Sequence, residues 1–486
     1  MDLDRAELDK QLTAEALDVL IVGGGIVGAG IARDAAMRGL RVGLVEQFDL
    51  ASSTSSRSSR LLHGGLRYLA QGRLGLVYEA SREKRILCRI APHLAEPLPF
   101  LFPAYRGTRW PLWQLRIGVK LYDLLCGGRN LGPSTSLGPD DLARLLPDIR
   151  REDLSGAVRY YDGLTNDARL VLDTLHSARR YGAMVMNYAR FERAEPKGNR
   201  WQCDVHDDLS GRPLCIAARS VVNAAGPWAA AFPQSSLRLR PTKGVHLVID
   251  RQRLPVPDAV VMGEGARILF AIPWGERVIL GTTDTDYDGP PQAVRTEPAD
   301  VQYILGVVNT SFPAAKLRAA DVLRSWAGLR PLIADRRGRP SDISRRHVIR
   351  MPQPGWLDVA GGKLTTYRLI AEQAVDRLAR YLGGPVARCR TAEEPLCDAG
   401  GCPYSGILPP AVGPEPVQYA CRQEWAVHLD DVMVRRTSWH YYHADAAEIA
   451  RQAAAWMAEI LGWDAARRQA ELARYEEVES GERGVG

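Results

Sequence analysis

"LDVLIVGGGIVGAGIARDAAMRGLRVGLVE", Leu17 to Glu46, decides the fold. Leu17–Val22 is a short β-branched run of the kind buried on both faces in a parallel sheet. Ile26 to Arg38 is Ala-rich with helical spacing, and Arg41–Glu46 reads as a second strand. Gly23, Gly25 and Gly28 form G-x-G-x-x-G between the first strand and the helix. The first glycine permits a tight turn, the second lets backbone approach a pyrophosphate, and the third lets helix pack on strand. The helix N-terminus then offers unpaired N–H groups and partial positive charge to phosphates. Glu46 ends the second strand where a carboxylate accepts ribose hydroxyls, which favours an unphosphorylated ribose: NAD or the adenosine half of FAD.

Outward from this unit, "SVVNAAGPWA" (Ser220–Ala229) is a strand ending in small residues, Ala225 and Gly226 among them, where backbone passes close to a ligand. "GGKLTTYRLIAEQAVDRLARYL" (Gly361–Leu382) is a Gly-Gly turn feeding a long helix, a second positive dipole end. Such an end stabilises the negative charge of a reduced flavin. No second fingerprint for a nicotinamide cofactor follows. "KGVHLVID" and "RVILGTTDTDYDGPP" alternate short strands with Gly/Pro turns, as in an antiparallel sheet inserted into the first domain. Gly127–Asp141 is a loop, 383–416 a Gly/Pro-rich linker, and "DAAEIARQAAAWMAEILG" and "DAARRQAELARYEEVE" have helical periodicity.

The fold class expected is therefore an α/β FAD-binding Rossmann-like domain with an inserted antiparallel-sheet substrate domain and a small C-terminal helical domain. The boundaries expected are 1–90, 155–235 and 340–385 for the first, 91–154 and 236–339 for the second, and 386–486 for the linker and helical tail.

Bulk properties narrow the class. The 486 residues, 46% hydrophobic and 25% charged, suit two or three domains with sizeable cores. The net charge of +6 is spread without a basic tract, so no nucleic-acid partner is expected. Eight cysteines with no Cys-x-x-Cys pair are expected to be reduced thiols, with no metal site. The acidic, amphipathic N-terminus lacks the features of a signal peptide, and no run of about 18 apolar residues appears. The chain reads as cytoplasmic.

The set of motifs resembles the FAD-dependent, respiratory glycerol-3-phosphate dehydrogenases, within the glycine and D-amino-acid oxidase-like flavoproteins. The stretches that carry the likeness are "IVGGGIVGAGIARDAAMRGL", "STSSRSSRLLHGGLRYL", "IAPHLAEPLPF", "NDARLVL", "VVNAAGPW", "KGVHLVI", "IPWGERVILGTTDTDYDG", "GLRPL" and "GGKLTTYR", in order over residues 18–385. In the tail, "EWAVHLDDVMVRRT" resembles the family's last helical segment. The resemblance implies bound FAD and oxidation of sn-glycerol 3-phosphate to dihydroxyacetone phosphate by hydride transfer to flavin N5. It also implies a quinone acceptor at the cytoplasmic membrane surface. A glycerol-3-phosphate oxidase producing peroxide, a flavin oxidoreductase for another small hydroxy or amino acid, and a silent FAD-binding protein are the alternatives. A homodimer is one option for assembly.

By the same resemblance, Gly23, Gly25, Gly28 and Glu46 contact the adenosine and pyrophosphate. Ser55, Ser56, Ser58 and Ser59 form a serine loop near the cofactor, and Gly361, Gly362, Leu364 and Thr365 lie beneath the flavin ring. Substrate positions map onto Arg67, Tyr68, His246, Arg330, Arg345 and Lys363. Arg330 and Arg345 would grip the phosphate, completed by Arg67 and Tyr68. His246 is the first candidate for the base and His63 the second; Lys363 would polarise the hydroxyl or the product carbonyl. Each Arg or Tyr has a structural ion pair or core hydroxyl as its alternative.

"TRWPLWQLRIGVKLYDLLCG" (Thr108–Gly127) predicts a helix over 112–125, with Arg116, Lys120 and Asp123 along one narrow stripe and apolar residues over most of the rest. It reads either as a membrane-surface helix or as one buried in the protein. Three features depart from the family: a tail shorter than its usual helical cap, Arg346-His347 where an acidic and an aromatic residue are commoner, and "CRTAEEPLCDAGGCPYSGILPP", which has no counterpart.

Overall fold

Leu17–Val22 sits at the centre of a parallel sheet, with Val42–Val45 on one side and Arg212–Asn223 on the other. Burial on both faces is what its unbroken apolar run requires. The computed structural model describes residues 5–65, 69, 72–127, 130–264, 267–334, 347–398 and 400–482. Strands in this sheet run in the order His347–Gln353, Trp356–Gly361, Arg212–Asn223, Leu17–Val22, Val42–Val45, Met184–Met186. Along this order the first pairing alone is antiparallel, and off it Arg200–Asp207 and Ala189–Lys197 add antiparallel strands to Arg212–Asn223. Helix Ile26–Met37 packs between helices Asp167–Arg180 and Tyr367–Leu382. Arg38 at its end bridges Asp34 and Asp376, each at 2.6 Å.

A second, largely antiparallel sheet takes the order Thr285–Asp286, Leu239–Asp250, Arg277–Gly281, Arg267–Trp274, Ala259–Glu264, Glu96–Tyr105, Leu154–Leu164, Leu61–Leu62, and Val322–Ile333 pairs with Leu239–Asp250. Period-two alternation gives each of its faces a separate task. Val245, Leu247 and Ile249 join a core with helix Pro298–Ser311, whereas His246 and Gly244 face a cavity on the other side.

Leu61–Leu62 and Leu154–Leu164 belong to this second sheet, although the boundaries read from the sequence put Leu61–Leu62 and residues 155–164 with the first domain. Leu154–Leu164 pairs along the whole of Glu96–Tyr105, and that long ladder outweighs proximity in sequence. The chain returns to the first layer at Thr165, whose N–H donates to Arg60 O at 2.8 Å.

The tail forms helices Pro414–Gln423, Ala446–Leu461 and Ala465–Glu482 around a π-type turn at Asp431–Arg436. Buried ion pairs fasten it to the first domain. Arg169 donates to both oxygens of Glu424 at 2.7 and 2.6 Å, and Arg435 and Arg436 converge on Asp49. Burial by itself would raise the Glu424 carboxyl; Arg169 overrides it and holds the group well below the usual carboxylate range.

Cys397 and Cys402 are joined as a disulfide, which corrects the expectation of eight reduced thiols. A turn in which Gly401 N–H donates to Asp398 O brings their Cα atoms to 5.4 Å, within bridging range.

Candidate active site

The first glycine turn leaves no room for side chains. A Cβ on Gly28 would stand 1.9 Å from Gly23 O, so any larger residue separates helix from strand. Ser55 Oγ accepts from Ile26 N–H at 3.0 Å and caps the helix that begins there. Glu46 accepts from Gly24 N–H at 2.7 Å and Phe48 N–H at 3.0 Å, so the carboxylate braces the turn and keeps lone pairs for ribose hydroxyls.

The serine loop then crosses to the second sheet. Thr54 Oγ1 donates to Leu329 O at 2.6 Å, and Trp326 Nε1–H donates to Ser58 O at 3.2 Å. Ser59 Oγ lies 2.8 Å from His246 Nε2. The loop therefore links the glycine turn to the strand pair that carries His246 and Arg330.

Register across that pair sets the site. His246 lies opposite Trp326, Gly244 opposite Gly328, and Thr242 opposite Arg330. The His246 ring stacks on Trp326 at 5.3 Å, and its Nδ1 has no hydrogen-bond partner among the described residues. The Arg330 guanidinium lies over Gly244, where a Cβ would come within 2.3 Å of Nη2. It is held from behind by Thr282 Oγ1 at 2.9 Å, Thr283 O at 3.2 Å and Asp284 at 3.3 Å.

Burial, then the nearby charges of Arg330 and Arg60, lower the His246 pKa to about 3. The ring is thus neutral at ordinary pH, as a proton acceptor must be. An unfolded imidazole titrates near 6.5, so as pH falls below that value the unfolded chain binds a proton that the folded one refuses. Stability contributed by the neutral ring is present above pH 6.5 and is lost on acidification towards 3, by about 2 kcal/mol at about pH 5. Thermal midpoints of the wild type and His246→Gln, compared from about pH 7.5 to about pH 5, should show the steeper acid loss in the wild type.

One cavity of about 570 Å³ gathers these parts. Gly25, Ser55, Ser58, Ser59 and Gly226 line it together with Gly361, Gly362 and Leu364, and so do His63, His246, Arg330 and Lys363. Phe100, Phe102, Tyr160 and Phe270 line it too, as do Trp113, Gln114 and Leu121 of helix Leu112–Leu125. Gly23, Gly28, Glu46, Ser56, Ala225 and Thr365 support the cavity from outside its lining; Thr365 Oγ1 accepts from His63 N–H at 3.1 Å. Arg67, Tyr68 and Arg345 lie outside the described residues, as does Arg346.

Sequence reading passed over Thr282, Asp284 and Trp326, although "TTDTD" carried the first two. It also named Ser59 only as a cofactor contact. A polar run ending a buried strand opposite an arginine was the available signal.

These features fit FAD. The capped helix N-terminus offers backbone N–H groups to a pyrophosphate, the Cβ-free turn admits close approach, and the same cavity is lined by a second glycine turn at 361–362.

Comparison with known proteins agrees. Residues 18–376 match the family model described as FAD dependent oxidoreductase, and residues 409–468 match the C-terminal domain of alpha-glycerophosphate oxidase. The chain is 36% identical to glycerol-3-phosphate dehydrogenase 2 of Mycobacterium tuberculosis, over 97% of this chain and 89% of that protein. It is 38% identical to the aerobic glycerol-3-phosphate dehydrogenase of Staphylococcus epidermidis, over 78% of this chain and 70% of that one. The crystal structure of the Bacillus halodurans glycerol-3-phosphate dehydrogenase complexed with FAD superposes with a TM-score of 0.78 at 28% identity, covering 97% of this chain and 96% of that one. The cofactor is FAD, and the chain belongs to the FAD-dependent glycerol-3-phosphate dehydrogenase family.

Proposed function

We propose that the protein oxidises the secondary alcohol of sn-glycerol 3-phosphate to dihydroxyacetone phosphate and passes the electrons to a membrane quinone. The observation that carries this reading is the meeting of His63, His246, Arg330 and Lys363, from distant segments, on one cavity beside the glycine turns. Oxidation removes a proton from the hydroxyl and a hydride from its carbon; FAD, when bound, supplies the two-electron acceptor.

Arg330 grips the phosphate, its fork already fixed by Thr282 and Asp284. With Nε2 engaged by Ser59, His246 Nδ1 takes the hydroxyl proton. An anion on Arg330 offsets the repulsion that depresses the His246 pKa, so the base strengthens as substrate binds. Lys363 polarises the reacting oxygen, and His63 is the reserve base. Arg67, Tyr68 and Arg345 complete the phosphate grip on the strength of the family resemblance.

The membrane part of the reading rests on helix Leu112–Leu125. Leu115, Val119 and Tyr122 face inward, while Trp113, Ile117 and Leu124 are 61%, 61% and 70% exposed. Leu74 and Tyr78, on the neighbouring helix Leu74–Ile90, are exposed as well. No described helix is long and apolar enough to cross a bilayer. An exposed apolar face with Arg116 and Lys120 beside it suits attachment to an anionic surface, and the aromatic residues that line the cavity with this helix suit a quinone ring. Tyr78→Ser combined with Leu124→Ser should weaken pelleting with anionic liposomes about tenfold or more. Reduction of the flavin by substrate should persist in that variant.

A second reading has oxygen as the acceptor, and the match of residues 409–468 to the oxidase C-terminal domain favours it. Product assays separate the two. Dihydroxyacetone phosphate formed with a short-chain quinone and little peroxide supports the first; peroxide equal to product supports the second. No product with either acceptor ends both.

A further inference from the structure

The linker stretch without a family counterpart places two sulfurs beside two other metal-ligating groups. We propose that, once a thiol reductant has opened the Cys397–Cys402 bond, His93, Asp173 and the two cysteines as thiolates hold a zinc ion that staples the linker to the FAD-binding domain.

One donor atom from each of the four residues lies within 4.8 Å of all the others. His93 Nε2 is 3.4 Å from Cys397 Sγ and 2.8 Å from Asp173 Oδ2. The imidazole–sulfur separation is close to the edge of a tetrahedron with metal–ligand bonds of about 2.0–2.3 Å, whereas the carboxylate would draw back from the ring, and the two sulfurs from each other, as an ion enters. Two thiolates, an imidazole and a carboxylate are a borderline-soft set that favours zinc over calcium or magnesium. The spacing Cys-x4-Cys, closed by Gly400-Gly401, falls within the range of zinc loops, although the sequence reading looked only for Cys-x-x-Cys.

The surroundings support a metal more than a bare disulfide. A bridge across so short a loop restricts the unfolded chain least, because that contribution grows with loop length. Nor does it account for an imidazole and a fully buried carboxylate converging on the same sulfurs. Asp173 is oriented as outer-shell partners orient a ligand: Ser405 Oγ donates to Oδ2 at 2.6 Å and Arg169 Nη2 to Oδ1 at 3.1 Å. Three anionic ligands exceed the charge of one zinc ion, and Arg169 and Arg180 lie alongside to balance it.

All four corners come from protein, which marks a structural centre. His93 lies in the turn Pro92–Leu94, Asp173 in helix Asp167–Arg180, and the cysteines in the linker. Leu396 N–H donates to Ile90 O at 2.8 Å just before the loop, and Trp274 Nε1–H to Ile407 O at 2.9 Å just after it. The staple therefore sits where the chain crosses from the first domain to the second sheet.

The test uses the flavin-loaded protein purified with a thiol reductant and without chelator. Elemental analysis should find one zinc per chain, and thiol titration of the denatured, chelated protein should find all eight cysteines reduced. Cys397→Ser or Cys402→Ser should bring zinc to background. Wild-type protein loaded with cobalt(II) should give thiolate charge-transfer and tetrahedral d–d absorption, a readout independent of whether the variants fold. Background zinc in wild-type protein with eight thiols overturns the proposal. So does a thiol count of six, which means a permanent disulfide, or cobalt spectra without thiolate bands.

Discussion

Under rapid anaerobic mixing with glycerol 3-phosphate, His246→Gln should reduce its flavin about a hundred- to ten-thousand-fold more slowly than wild type, the range lost with a general base. The fall should appear in the limiting rate, with substrate affinity little changed, because the imidazole acts on the hydroxyl and not on the phosphate. His246 is 2% exposed, stacked on Trp326 and fixed by Ser59, so it is preorganised. It is also neutral well below pH 6.5, so wild-type reduction should show no loss of rate near the ordinary imidazole pKa. His63→Asn should have the smaller effect. A larger one would transfer the base assignment to His63.

Arg330→Met should lower kcat/KM about a thousandfold, mainly through KM. Truncating a charged partner of a dianion costs about 2–5 kcal/mol, and each 1.4 kcal/mol is about tenfold. Arg330→Lys should recover only part, since a point charge lacks the fork that Thr282 and Asp284 hold in place. A second signature separates this role from a structural one. Arg330 is, after burial, the leading cause of the low His246 pKa, so its loss should move the acid limb of the pH profile upward. A variant with impaired kcat, unchanged KM and an unmoved profile would assign Arg330 to the fold alone.

Several of these parts were legible in the sequence because they are local. The Leu17–Glu46 unit combines a strand, a glycine turn and a helix whose signals lie within thirty residues. Helix Leu112–Leu125 and the tail helices Ala446–Leu461 and Ala465–Glu482 were marked by periodicity. The pairing of Leu154–Leu164 with Glu96–Tyr105 was not, because register between distant strands is set by packing against the rest of the sheet. For the same reason the sequence offered His246 and Arg330 as candidates but not Trp326 or Asp284, which fix them. Arg60 shows the limit most clearly. It reads as one more loop cation, yet it is 2% exposed, 4.3 Å over the Trp274 ring, and contributes to the His246 pKa shift. The Cys397–Cys402 bridge was not legible either, because a turn at Asp398–Gly401 brings the two sulfurs together, and His93 and Asp173 beside it lie far back in the chain.

The most direct test of the account is anaerobic titration of the yellow holoenzyme with sn-glycerol 3-phosphate and, separately, with glycerol, following the flavin absorbance. Full bleaching by the phosphate ester, with little or none by glycerol at the same concentration, is the result expected of a cavity that positions the alcohol through its phosphate. Bleaching by glycerol as readily as by its phosphate, or by neither, would contradict it.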